Sequence, residues 1–252
     1  MKLFTALSTA LVISFFNFTN ATSADEDVLQ PIKQPWNFEG MLGTFDKQSA
    51  QRGYKVYKEV CSACHGMRLI KFRNLEGIGY SPEQVKAIAA EYEIDVLDDE
   101  GQDTTRMRVP NDAFPDPYSN KLAAAAANGK YPPDLSLMYK ARPDGGNYIY
   151  SLLMGYKTPP KDLDLGVSYY NPYFPGKLIA MPPQLNDGMV EYDDGTKATK
   201  DQMAKDLVNF LQWSAEPEME QRKSMGLKVL IFLSIMTIFF YLAKLRIWKD
   251  VK

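Results

Sequence analysis

Cys61-Ser62-Ala63-Cys64-His65 is the stretch on which the reading of this chain turns. These five residues hold both cysteines and the one histidine of the 252-residue sequence. A disulfide framework is excluded, because no further cysteine exists to pair with the closely spaced couple. A zinc site needs four ligands, usually Cys or His, and none remain to complete it. An iron–sulfur cluster asks for four Cys, or for Cys with a second His. A thioredoxin-like redox pair needs a βαβ surround, and the chain lacks that pattern.

The reading left is covalent haem attachment. Two thiols spaced by two residues can form thioethers with the two vinyl groups of one haem, and the following imidazole, His65, then binds the iron from below. The second axial ligand cannot be another His. A Met thioether raises the haem potential and suits an electron carrier. Met67 is too close to His65 to reach the opposite haem face, and Met203 belongs to the apolar face of a helix. With Met1 in the signal peptide and Met225 and Met236 in the anchor region, Met107, Met138, Met154, Met181 and Met189 are the serious contenders. Met181 heads Met181-Pro182-Pro183, where the prolines hold an extended, stiff loop that would keep the sulfur in place.

Outward from the motif, helical spacing of Tyr54, Tyr57, Val60 and Cys61 predicts a helix from Asp46 to Val60 that delivers the cysteines. Ser81-Pro82-Glu83-Gln84 opens a second helix with Ser as N-cap and Pro at the first helical position. It runs into the acidic stretch Glu91 to Asp103. Helices are expected over Ser119–Ala127 and Gly146–Met154. Thr199 with Gln202 predicts a capping box for a last helix bearing Met203, Leu207, Phe210 and Leu211 on one face. Between these lie long loops rich in Pro, Gly, Tyr and Asn, as expected of a chain that wraps something.

The two ends are apolar. Leu3 to Phe18 follows Lys2 and leads to Thr22-Ser23-Ala24, so residues 1–24 read as a secretory signal peptide, with cleavage after Ala21 nearly as good. Val229 to Ala243 carries no charge; its fifteen residues span about 22 Å as a helix. Flanking Gly226, Leu227 and Leu245, with Lys228 snorkelling, extend it to a membrane span over 226–245. Lys244, Arg246, Lys249 and Lys252 would stay on the cytoplasmic side, leaving residues 25–225 outside and 246–252 as a tail. Residues 25 to 227 hold 23 basic and 30 acidic side chains, about seven net negative charges. That balance disfavours nucleic acid and suits a basic soluble partner.

Several segments resemble the cytochrome c1 family: Tyr54 to His65 (YKVYKEVCSACH), Tyr131 to Ser136 (YPPDLS), Ala141 to Tyr156 (ARPDGGNYIYSLLMGY), Asn171 to Gly176 (NPYFPG), and Phe210 to Lys228 with the anchor after it. The resemblance implies an all-α, cytochrome c-like haem domain with long loop insertions and one C-terminal transmembrane helix. It implies one covalent haem c on Cys61 and Cys64, with His65 and Met181 as axial ligands. The family's haem-pocket Arg and Tyr match Arg142 and Tyr148, which would meet a propionate. An Asn that some relatives place against the haem is Ala127 here, with Asn128 adjacent. Implied partners are cytochrome b, a Rieske iron–sulfur protein, a soluble or tethered cytochrome c, and membrane lipid. The chain would relay electrons as a subunit of a quinol–cytochrome c oxidoreductase without transforming a substrate itself, on the periplasmic face of a bacterial inner membrane. Another membrane-anchored monohaem cytochrome, such as a peroxidase or oxidase subunit, is the alternative. The acidic run Glu91 to Asp103 is either a solvated face or a surface that steers a basic cytochrome c.

Overall fold

A computed structural model of the chain describes residues 28–250. The expected signal peptide, the expected cleavage site and the final two residues lie outside them.

Helix α1 (Lys47–Val56) starts where Asp46 accepts a hydrogen bond from the Ser49 amide, an N-cap that satisfies one of the first-turn donors. The α-helix does not continue to Val60 as the periodicity predicts. It widens into a π-turn over Tyr57–Cys61, closed by Ser62 N donating to Tyr57 O at 2.8 Å. An apolar spacing of three and four residues is served by either geometry, so the sequence pattern did not separate them. A 3-10 helix (Phe72–Ile78) and α2 (Pro82–Ala89) follow. The latter has the complete capping box: Ser81 caps the Gln84 amide and Gln84 returns to the Ser81 amide.

The acidic stretch is not a helical extension. Strands β1 (Glu93–Leu97) and β2 (Asp103–Met107) pair antiparallel, with Glu93 opposite Met107 and Leu97 opposite Asp103. Helix α3 (Lys121–Asn128) begins two residues later than expected, because Asn120 rather than Ser119 supplies the cap. Helix α4 (Gly145–Met154) matches its expected span within a residue. A two-residue ribbon, β3 (Tyr169–Tyr170) with β4 (Leu178–Ile179), precedes α5 (Lys200–Ala215) and α6 (Met219–Ile247). The fold is mostly helical, and among the described residues its only sheets are these two small ribbons.

Thr199 caps α5 as predicted, but the reciprocal half of its box is absent. Gln202 instead donates to the Asp206 carboxylate at 3.1 Å. Asp206 is fully buried on α5, gripped by Ser49 Oγ at 2.7 Å and by both Nε and Nη2 of Arg52 at 2.9 Å. A buried carboxylate is costly unless it is paired to this degree. The grip ties α1 to α5, and a Cβ at Gly53 would overlap the Asp206 backbone, so glycine is what lets the two helices cross in contact. Tyr54, Tyr57, Phe72, Phe114, Phe210 and Trp213 fill the space around the crossing in ring-to-ring contact. The predicted core positions Met203, Leu207, Phe210 and Leu211 are all buried there.

Helix α6 has 29 residues, long and apolar enough to cross a membrane, and none of its most apolar stretch is buried in the structure. It begins well before residue 226: Met219 is buried against the domain, so the helix starts in the core rather than after a linker.

Candidate functional site

The π-turn ends on Cys61, and the chain then folds tightly back, with Cys64 N and His65 N both donating to Cys61 O at 3.1 and 2.9 Å. Widened turns of this kind frequently mark functional positions because they re-aim the side chains that follow. Both thiols are free and half-buried, and burial, with Cys64 close by, pushes the Cys61 thiol up to about 12.

His65 is held by a segment the sequence reading did not assign to the site. Its Nδ1 lies 2.7 Å from the Pro133 carbonyl oxygen. A carbonyl only accepts, so Nδ1 carries the hydrogen, and the neutral ring keeps its lone pair on Nε2. Burial reinforces this by lowering the imidazole's proton affinity. Three backbone N–H bonds tie the Tyr131–Ser136 segment to the motif's exit, and a fourth closes within the segment. Leu135 N donates to Gly66 O, Arg68 N to Asp134, Leu69 N to Ser136 Oγ, and Ser136 N returns to Asp134. Tyr57 adds its hydroxyl to His65 O at 3.1 Å. The Pro133 contact uses a backbone atom, so no residue type in the sequence announces it. Beside Cys64 opens a cleft of about 250 Å³, lined among others by Arg68, Asp116, Tyr131 and Asp134.

Arg142 and Tyr148, each expected at the haem pocket, lie close to one another. The Arg142 guanidinium lies close to the Tyr148 phenol, and its positive charge partly offsets the upward push of burial on it. Tyr148 in turn lies near Tyr156, whose hydroxyl donates to the Met181 carbonyl at 2.9 Å. Arg142, Tyr148, Tyr156 and Met181 therefore form one continuous chain of neighbours. Tyr156 is the member the sequence reading missed, although it closes the stretch that contains the other two.

The methionines sort by exposure. Met107 is 53% and Met189 47% exposed, and the Met189 sulfur accepts from Asn186 N at 3.1 Å. Met138, Met154 and Met181 are half-buried. Val60 and Cys61 beside the motif, and Met138, Tyr148, Leu153 and Met154 on α4 and its approach, pack on the core yet keep apolar surface open. The donor set fits a haem: two unpaired thiols, an imidazole with its outer nitrogen bare, and open apolar flanks. A crossed-helix core presenting such a motif, continued by an apolar helix, defines a cytochrome c-like domain.

Comparison with known proteins narrows the class. A family model described as the Cytochrome C1 family matches residues 36–251. Cytochrome c1 of Rhodospirillum rubrum is 47% identical over 251 residues, 92% of each chain. Cytochrome c1 2, a mitochondrial heme protein of Arabidopsis thaliana, is 50% identical over 91% of this chain and 76% of its own. The mitochondrial cytochrome b-c1 complex catalytic subunit of Candida albicans is 46% identical over 97% of this chain and 88% of its own. The chain belongs to the cytochrome c1 family.

Proposed function

We propose that this chain is the haem-bearing electron-relay subunit of a quinol–cytochrome c oxidoreductase. Cys61 and Cys64 would hold the haem covalently, and His65 and Met181 would bind its iron. Arg142 and Tyr148 would face its propionates. When bound, the haem supplies one-electron chemistry, taking an electron from a Rieske iron–sulfur protein and yielding it to a cytochrome c. The chain's own residues perform no proton transfer for this. Pro133 fixes the His65 tautomer, the Tyr131–Ser136 clamp fixes the imidazole's position, and the Met181 loop is tied to α4 through Tyr156. The observation that carries the reading is the His65 Nδ1 to Pro133 O bond, which leaves Nε2 as the free donor. Hydrogen-bonding one ring nitrogen to set the other for a metal is how ligating histidines are ordinarily prepared.

Residues 1–24 would export the chain, and α6 would then hold the domain outside a bacterial inner membrane, next to cytochrome b. Its basic end, Lys244, Arg246 and Lys249, supports that orientation. The test is purification from membranes, with haem staining of the denatured chain and identification of co-purifying subunits. A stained chain accompanied by a cytochrome b and a Rieske protein is expected. The Cys61→Ala, Cys64→Ala double variant should lose both the stain and quinol-dependent cytochrome c reduction. Normal reduction in that variant would sink the proposal.

A further inference from the structure

Residues 37–44 make a closed loop beside the start of α6. Thr44 N donates to Asn37 O at 3.1 Å, and Gly43 N donates to Gly40 O. The loop is fastened to α6 at two levels. Phe45 N donates to the Glu220 carboxylate at 2.7 Å, and the Lys223 ammonium donates to Phe38 O at 2.6 Å and to Gly43 O at 2.9 Å. Read along the helix, Phe45 meets Glu220 and Gly43 meets Lys223, about one turn nearer the apolar stretch. The tip, Gly40 to Leu42, therefore continues toward that stretch. Leu227 shares the face of Lys223 one turn further on, and at 39% it is less exposed than Met225, at 60%, or Leu230, at 56%.

The tip carries two adjacent large apolar side chains turned outward. Met41 is 64% exposed and Leu42 79%, and the space around Gly40 is open. A loop facing water has no reason to present such a pair. The fastenings at Glu220 and Lys223 aim the pair along α6 toward the stretch that turns apolar, where exposed Lys228 would mark the headgroups. We propose that Met41 and Leu42 seat in the headgroup–acyl boundary of the bilayer, as a second foot beside α6. One helix leaves the domain free to tilt and to swivel; a lipid-seated tip braced through Lys223 restricts both. The inference rests on α6 spanning the membrane.

The test uses the purified complex, with its co-purifying subunits, reconstituted into phosphatidylcholine–phosphatidylglycerol vesicles. Nitroxide labels are placed singly through Leu42→Cys, Ile238→Cys in mid-α6, and Leu122→Cys, an exposed site on α3. Unsubstituted protein carried through the labelling serves as the blank, and unchanged haem content confirms folding. The ratio of collisions with oxygen to collisions with a water-soluble nickel chelate reads lipid contact. At residue 42 it should exceed the ratio at 122 several-fold while remaining below that at 238. A water-like ratio at 42 with a lipid-like ratio at 238 overturns the foot but spares the anchor. A water-like ratio at 238 overturns the spanning reading itself. A label at 42 shielded from both reagents means that a protein surface covers the tip, which also overturns the proposal.

Discussion

Tyr156 donates its hydroxyl to the Met181 carbonyl while its ring lies beside Tyr148, and burial raises its phenol well above the ordinary range, so it stays a donor at any working pH. The bond matters because the Met181 loop has few other ties: Pro182 and Pro183 have no amide hydrogen to give. Proline stiffness limits the shapes of the loop, and Tyr156 selects its distance from α4. A single hydrogen bond of this kind contributes about 1 kcal/mol. In Tyr156→Phe the protein should still attach haem, but the methionine–iron(III) charge-transfer band should yield to added imidazole at lower concentration than in the parent. An imidazole titration identical to the parent's would show that Tyr156 does not position the ligand.

At the scale of elements, the β1–β2 ribbon depends on a surface latch. Arg106 on β2 holds Asp112 through both terminal guanidinium nitrogens, Nη1 and Nη2, at 2.6 and 3.0 Å, and Val109 N adds a third bond at 2.8 Å. The Arg106 hydrogen bond leads in holding the Asp112 carboxyl down to about 2, below its ordinary 3.8. A depressed carboxylate lends stability above its ordinary range and surrenders it as pH falls through the folded value. The ribbon's amide protection should therefore be steady above about pH 4 and fade toward pH 2, as read by hydrogen exchange. In Asp112→Asn that acid-dependent step should disappear. A ribbon whose protection ignores pH in both proteins would rule the latch out.

How far such elements can be read from sequence depends on what defines them. The caps at Ser81 and Thr199 and the core face of α5 were legible because each is a local pattern with one physical cause. Glu93-Ile94-Asp95-Val96 alternates as a strand should, and Ile94 and Val96 are indeed half-buried. Within so acidic a run the same four residues also suit a solvated face, so the alternation alone does not single out a strand. In the site, the cysteines, His65, Arg142 and Tyr148 were visible as residue types in a motif or a resemblance. Pro133 acts through its carbonyl and Asp206 through distant partners, so neither is marked by its immediate neighbours.

For the molecule as a whole, the seven net negative charges of residues 25–227 are unevenly placed. Glu93, Asp95, Asp98, Asp99, Glu100 and Asp103 all stand exposed on the ribbon. The ribbon's base is tied to the π-turn that delivers Cys61: Glu91 pairs with Lys58, and the Tyr92 ring meets Phe72. A concentrated negative field thus projects from next to the motif. Such a field speeds encounter with a basic partner and is screened over about 8 Å at physiological salt. If the ribbon steers, raising ionic strength should slow reduction of a basic cytochrome c. The triple variant Asp95→Asn, Asp99→Asn, Glu100→Gln should slow it several-fold at low salt and flatten the salt dependence, with little difference left at high salt. Asp98 is spared because its carboxylate caps the ribbon's turn through Glu100 N and Gln102 N, and changing it would confuse folding with charge. Stopped-flow association rates across a salt series measure both slopes. If the two proteins share one slope, the ribbon is a solvated face and the partner is guided from elsewhere.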